Sequence, residues 1–397
     1  MERKVVILGK NYSTVLGVLR DLGHAGHPVD VIYIAWRRGD STVIRCSRYA
    51  ESCLEQVGRE EEKLLALLRE RYADCTPKPV LLPTDDHTAL LADRFRTELE
   101  PLFVLPGVVG GEPGAVRRLM DKSVQSELAA AAGLRAAKTW RIRLAENGYE
   151  LPRDLVYPCF CKPALSAEGG KTGMGKCEDE QTLLRLLDEL RGRMPGQYAL
   201  VQPFLQITRE YTIDGVCCDG EVLLPAVIEK SRVARHNRGV TLSGTLVAPE
   251  TLGETLPRIL AFLRALRYVG MFDLELLQTD EGLYFGELNL RSGGPGYAYC
   301  ACGVPLAAAA VRALTGEGLP AEAAPVLGRR FLNDKAAWDD YAFLHITRRE
   351  LAALYRESEL TLLEDPSDPR PGAAFRLLMA PRYTLMRQLR RIRRRGL

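Results

Sequence analysis

The chain has 397 residues, 46% of them hydrophobic and 26% charged, and a formal net charge of +3. That length leaves room for two or three domains with cores of ordinary size, and the composition is that of a soluble globular protein. The charge is too small to argue for a nucleic-acid partner, no apolar run approaches the roughly 18–20 residues of a membrane span, and Met1-Glu2-Arg3-Lys4 with the five apolar residues after it is too short for a secretory signal.

Val5-Val6-Ile7-Leu8-Gly9 reads as a buried strand, Ser13 as the cap of a helix to about Leu22, and 29–34 as a second strand. The alternation continues with a strand at 80–82, a helix over 86–100 and a strand over 102–105, which makes the first 110 or so residues a small open α/β unit with a parallel sheet. No G-x-G-x-x-G follows the first strand, so a dinucleotide site is not expected there. Beyond Gly110-Gly111-Glu112-Pro113-Gly114 come helices at 115–120 and 122–132, then strands at 155–162, 198–202, 210–217 and 221–229, with a helix near 179–193. A helix at 256–266 precedes strands at 271–277 and 283–289, which Thr279-Asp280-Glu281-Gly282 joins as a tight hairpin. An apolar helix at 304–314 closes this part, and past 325 the pattern weakens around Pro366, Pro369 and Pro371. The ten cysteines include no Cys-x-x-Cys pair and the five histidines do not gather near them, so zinc is not expected and the thiols read as buried groups in a reducing cytoplasm.

Asp273 followed by Glu287-Leu288-Asn289-Leu290-Arg291 is the strongest chemical signal. Alternate residues on a strand share a face, so Glu287, Asn289 and Arg291 project together, and Asp273 reaches them from the partner strand of the hairpin. Two carboxylates and an amide oxygen are hard ligands suited to Mg²⁺, and Arg291 offers a fork for phosphate oxygens. Glu275 is the alternative ligand. A solvated polar hairpin face is the competing reading, but the apolar surroundings (Met271, Phe272, Leu274, Leu276, Tyr284, Phe285) favour a cation.

Phe160-Cys161-Lys162-Pro163 runs into Ser166-Ala167-Glu168-Gly169-Gly170-Lys171-Thr172-Gly173-Met174-Gly175-Lys176, a loop whose glycines let backbone N–H groups approach phosphates while its lysines neutralise them. Gly170 to Lys176 matches a Walker A motif except that Cys177 stands where Mg²⁺ needs a hydroxyl, so a P-loop is set aside. Leu200-Val201-Gln202-Pro203-Phe204 leading to Arg209-Glu210-Tyr211-Thr212 fits a link between two lobes that meets adenine, with Glu210 on a ribose hydroxyl, although a solvent-facing Glu beginning a strand is the commoner reading of such a segment.

In this order, Asp121-Lys122 opening a helix, Lys162-Pro163 before the Gly-rich loop, Gln202 to Glu210, and Asp273 with Glu287-Leu-Asn289-Leu-Arg291 resemble the ATP-grasp superfamily over roughly residues 1–320. Within it the chain looks most like the D-aspartate ligase group of carboxylate–amine ligases and is related to carbamoyl-phosphate synthase large-subunit domains. The resemblance implies an α/β (α+β grasp) architecture with an open parallel-sheet pre-ATP-grasp domain at 1–112. A small lobe with leading helices would follow at 113–200, a large lobe with the metal site at 201–322, and a helical C-terminal extension at 323–397. It implies that Lys122, Lys162, Gly169, Gly170 and Lys171 meet ATP phosphates, that the backbone of Gln202, Pro203 and Phe204 meets adenine, and that Glu210 holds ribose. Asp273, Glu287 and Asn289 would hold Mg²⁺ (or Mn²⁺), while Arg291 and Lys162 act on the acyl-phosphate step. Pro203 departs from the acidic residue many relatives carry, and Ser292-Gly293-Gly294-Pro295-Gly296-Tyr297 departs from a D-aspartate ligase.

The expected activity is ATP-dependent joining of a carboxylate to an amine, with Lys230, Arg232 and Arg235 in a basic loop as candidate anchors for an acidic substrate. A small-molecule kinase on the same fold and a nucleotide-binding protein without turnover are the alternatives. Leu385, Leu389 and Ile392 at i, i+4, i+7 among seven arginines between Arg382 and Arg395 form a basic amphipathic end that suits either a frayed tail or docking on anionic lipid or on an acidic partner. The expected setting is therefore cytoplasmic with access to the inner membrane face; a homodimer stays open and no nucleic acid is expected.

Overall fold

The computed structural model describes residues 3–58, 60–165, 173–237, 239–321 and 323–394. Strands Val5–Gly9 (β1), Val29–Ala35 (β2), Ala50–Val57 (β3) and Val80–Pro83 (β4) make a parallel sheet in the order β3-β2-β1-β4. β1 and β2 are buried on both faces, which is why they read as apolar runs, broken only by Asp30, which is buried and accepts from Ser52 and Tyr72. Val5 and Ile7 pack with helix Tyr12–His24 (α1), whereas Val6 and Leu8 pack with Leu64, Leu65 and Leu68. α1 is capped by Asn11, whose Oδ1 accepts from the Ser13 N–H, and not by Ser13 itself. The half-exposed edge strand β3 carries little apolar alternation and was not legible. After the short helix Thr42–Arg45 (α2) and Glu61–Tyr72 (α3), the helix expected over 86–100 breaks at Phe95 into Asp86–Arg94 (α4) and Arg96–Leu99 (α5). Only Val104 of the expected strand at 102–105 pairs, through a single bridge to Val80.

Gly107–Val108 (β5), helices Ala115–Leu119 (α6) and Lys122–Ala131 (α7), and Arg135–Ala136 (β6) lead to a second sheet. Its strands are Trp140–Arg143 (β7), Cys159–Pro163 (β8), Gly175–Cys177 (β9) and Tyr198–Pro203 (β10), ordered β7-β10-β8-β9 and antiparallel. Helix Glu180–Arg191 (α8) buries Leu183, Leu186, Leu187 and Leu190 against Cys159, Cys161 and Val201. Period-2 alternation then turns Phe160 and Lys162 to the other face.

The large sheet holds Arg209–Cys218 (β11), Glu221–Leu223 (β12), Val227–Val233 (β13), Thr241–Val247 (β14), Tyr268–Thr279 (β15) and Gly282–Asn289 (β16). The single strand expected over 221–229 is two, separated at Leu224, Pro225 and Ala226. Helix Thr255–Ala265 (α9) covers one face with Ile259, Phe262 and Leu263. Helices Tyr297–Ala301 (α10) and Leu306–Leu314 (α11) follow. The remaining chain is no loose tail. Arg330–Leu332 (β17) pairs with β14, and Leu360–Thr361 (β18) pairs with β17, extending the large sheet. Around them lie helices Asp334–Ala342 (α12), Arg348–Glu357 (α13), Pro369–Ala374 (α14) and, after a π-helical turn at Phe375–Met379, Ala380–Arg394 (α15). Among the described residues no helix is long and apolar enough to cross a membrane.

Candidate active site

Strands β13, β11, β15 and β16 bring their polar residues to one face of the large sheet. On β11 the alternation sends Tyr211 and Ile213 into the core and leaves Glu210, Thr212 and Asp214 on the other side. Thr212 lies opposite Glu275 and Asp214 opposite Asp273. Across the hairpin, Asp273 faces Asn289 and Glu275 faces Glu287. The register shifts between the Glu275 and Leu276 pairs, so that Gly286 is an extra residue on β16. A side chain there would begin 2.9 Å from the Glu275 carbonyl oxygen, so the bulge needs glycine. Its effect is to let Phe285 join Leu274, Leu276, Leu288 and Leu290 in the core while Glu287 and Asn289 face away from it.

The polar face is a network of close contacts. Asp273 accepts from Thr212 Oγ1 at 2.7 Å and from Arg291 Nη1 at 2.6 Å. Arg291 Nε donates to Asp86 Oδ1 at 2.9 Å, so the start of α4 in the N-terminal sheet domain reaches this site. Asn289 Nδ2 lies 3.4 Å from Asp273 Oδ2 and 3.3 Å from Glu287 Oε1. Lys122 Nζ, carried at the first turn of α7, stands 2.8 Å from Glu287 Oε2. Lys230 Nζ is buried between Glu210 at 3.2 Å and Glu275 at 3.3 Å.

These contacts set the charge states. Burial by itself would raise the Glu287 carboxyl, but Lys122, Lys162 and Arg291 outweigh it and hold the pKa at about 2. Glu275 moves the other way, raised by burial and by neighbouring carboxylates against the pull of Lys230. Burial lowers Lys230, and Glu275, Glu210 and Asp273 more than reverse it, keeping the ammonium charged. Lys162 has no such rescue: burial and then the Lys122 charge bring it down to about 8, with Glu287 and Glu275 opposing. Its ammonium is charged below that pH and neutral above, so an anion binding beside it must draw a proton back. MgATP binding is therefore expected to take up a proton above about pH 8 and to weaken as pH rises further. Calorimetry in buffers of different ionisation enthalpy measures this uptake, and it should vanish in Lys162→Met.

The donor set fits a hard divalent ion. Asp273 and Glu287 supply two carboxylates, and the Asn289 amide lies between them, where the opposite assignment of its O and N atoms would present Oδ1. Glu275 is committed to Lys230. Among the described residues no group of three or more His, Cys, Asp or Glu side chains is arranged to hold a metal. Two carboxylates and one amide, with the other positions left to water and phosphate oxygens, suit Mg²⁺.

Several expected residues lie apart from this cluster. Gln202 Nε2 donates to Thr139 Oγ1 at 2.8 Å, and Pro203 ends β10 at the crossing from the small sheet to β11. The Phe204 ring lies under Lys176 Nζ at 4.5 Å. Gly169, Gly170 and Lys171 fall outside the described residues. Lys230, Arg232 and Arg235 do not come together: Lys230 turns inward, Arg232 pairs with Glu357 at 3.8 Å, and Arg235 donates to the His345 carbonyl. Three participants were not legible in the sequence. Asp86 sits just past the C-terminal end of β4, where ligands gather in open α/β sheets, and that position was the only available signal. Thr212 and Asp214 follow Glu210 by period 2. Asp214 is fully buried, accepts the Gly293 N–H, and leaves Oδ2 without a partner among the described residues. Burial and the Asp273 charge push its carboxyl well up. A side chain at Gly293 would start 2.3 Å from Asp214 Oδ1, which ties the glycine after Arg291 to this contact.

A parallel-sheet domain, a small antiparallel lobe bearing Lys162 and a large lobe bearing the carboxylates recur in solved structures. An L-amino acid ligase from Bacillus licheniformis superposes with a TM-score of 0.61 at 15% identity, over 83% of this chain and 78% of that one. The biotin carboxylase domain of the Hydrogenobacter thermophilus 2-oxoglutarate carboxylase, in complex with MgADP, ADP and bicarbonate, gives 0.61 at 17% identity, over 82% and 73%. This is the ATP-grasp fold. In sequence, the chain is 27% identical over 215 residues to the carbamoyl phosphate synthase large chain of Mycobacterium tuberculosis (strain ATCC 25618 / H37Rv), covering 53% of this chain and 19% of that protein. It thus spans about a fifth of the length of that relative. No family model matches the chain.

Proposed function

We propose that the protein is an ATP- and magnesium-dependent ligase that activates a carboxylate as its acyl-phosphate and joins it to an amine. The observation that carries this reading is the meeting of Lys122 and Lys162 with the ionised Glu287, beside Asp273, Asn289 and Arg291. Support comes from neighbours whose names include an L-amino acid ligase and a carboxylase domain holding MgADP. Magnesium held by Asp273, Glu287 and Asn289 would supply positive charge to the triphosphate. Lys122 and Lys162 bind phosphate oxygens, and Lys122 gives up its contact with Glu287 as it does so, while Lys230 stays between Glu210 and Glu275. Arg291, held in line by Asp86 and Asp273, binds the oxygens on which charge grows as the substrate carboxylate attacks the γ-phosphorus and ADP leaves. The amine then attacks the acyl carbon and phosphate departs. The chain's contribution is orientation and electrostatics, with no covalent intermediate on a side chain.

The amino-acid ligase neighbour and the original resemblance make amino acids, D-aspartate included, the first carboxylates to test. Hydroxylamine intercepts an acyl-phosphate as a hydroxamate. ATP, Mg²⁺ and the carboxylate partner are expected to give ADP and hydroxamate in equal amounts. ADP without hydroxamate, with a phosphorylated hydroxyl as product, would assign the site to a kinase.

A further inference from the structure

Helix α15 has one face bound to the protein and one face bare. Tyr383 packs beside Trp338 and Phe375, Arg387 lies over the Tyr341 ring at 4.3 Å and donates to the Ile346 carbonyl, and Arg390 lies over Phe343 at 3.7 Å. On the opposite side Leu385, Leu389 and Ile392 are 56%, 51% and 48% exposed, and Leu378 and Leu377 continue the apolar row in the preceding turn. Arg382 lies three residues before Leu385 and Arg393 four after Leu389, so both border the row. From residue 369 to the end the sequence has nine arginines and no acidic residue.

We propose that this face of α15 is a docking surface for an anionic lipid membrane, on which the helix lies parallel to the bilayer plane. Charge decides among occupants. The same face of a second copy would bring further arginines from a segment with no carboxylate of its own, and like charges at close range oppose pairing. A nucleic acid would reward the arginines but gain nothing from three leucine-sized side chains at the centre of the contact. An anionic bilayer satisfies both, taking the apolar row into the acyl boundary and the arginines at the headgroups. The anchored face fixes which side of the helix is presented, so the protein docks without any new folding step. The surface uses none of the active-site residues, and its test is independent of the ligase reading.

The full-length protein is sedimented with phosphatidylcholine vesicles, with and without phosphatidylglycerol, at low and high salt. Binding is expected only to the anionic vesicles and to fall as salt rises. Arg382→Gln with Arg393→Gln is expected to lower partitioning by about 25-fold, roughly five-fold for each arginine. Leu385→Gln with Leu389→Gln is expected to lower it more than about ten-fold. Because these side chains are exposed, both double variants should keep the wild-type melting curve, which separates lost docking from lost folding. Equal binding to neutral vesicles, no binding to either, or wild-type binding by the leucine variant overturns the proposal. So does a dimer in sedimentation velocity that the leucine substitutions convert to monomer.

Discussion

Glu287→Gln is expected to leave a folded protein whose ADP formation falls about 100- to 1,000-fold, the range seen when one preorganised polar group is taken from a transition-state site. Glutamine keeps the size and one acceptor, so the loss isolates the charge. In the native protein that charge answers Lys122 at 2.8 Å, with Lys162 close enough to be pushed down by Lys122 and pulled up by Glu287. Without it two lysine ammoniums face each other beside a ligand set with one carboxylate fewer, so the pKa of Lys162 should fall further. Stability should drop as well, by about 1–3 kcal/mol. That is less than for a fully buried pair, because the Glu287 side chain remains 23% exposed. A coupled ADP assay and a thermal melt on the same preparation check both parts. Turnover within a few-fold of wild type would remove the carboxylate from the reaction.

Arg20→Ala is expected to be the most destabilising single change at a distance from the site, costing about 3–5 kcal/mol. Arg20 is fully buried on α1. Its Nε donates to Asp368 Oδ2 at 3.1 Å and Nη2 to the Asp368 carbonyl at 3.0 Å, with Asp365 at 3.8 Å. Asp368 also accepts from Ser47 Oγ at 2.8 Å and the Arg48 N–H at 3.0 Å, so one carboxylate ties the C-terminal segment to α1 and to the turn that follows α2. Alanine would leave Asp365 and Asp368, both nearly fully buried, without their cation. Arg20→Lys should recover only part of the loss, since a single ammonium cannot span the Asp368 carboxylate and the carbonyl oxygens of Asp368 and Leu362 as the planar fork does. The shift in the urea midpoint measures the effect. A midpoint unchanged in Arg20→Ala would mean that the C-terminal segment is held by its apolar contacts alone.

The parallel sheet of the N-terminal domain was legible because strands buried on both faces are mostly apolar, and 5–9 and, apart from Asp30, 29–34 are. The edge strand Ala50–Val57 was not, since a half-exposed edge carries mixed residues with no clear period. The carboxylate hairpin was legible for a related reason. Charged residues recurring every second position inside apolar sequence, on either side of an Asp-Glu-Gly turn, leave few alternatives to a polar face turned away from a core.

Periodicity and residue chemistry by themselves determined which side chains are able to hold phosphate and metal, because a strand's period of two follows from backbone geometry whatever lies around it. Only the tertiary structure decided which of those groups meet. Strict alternation would put Phe285 on the face of Glu287, and the bulge at Gly286 reverses this by inserting one residue against Glu275. Lys230 reads as part of an exposed basic loop with Arg232 and Arg235, yet the pairing of β13 beside β11 buries it between Glu210 and Glu275. Asp86 reaches Arg291 from 205 residues away, and Arg20 reaches Asp368 from 348. Ion pairs of such separation leave no trace in local pattern, since each partner's neighbours in sequence belong to a different layer and the attraction exists only once the layers are packed.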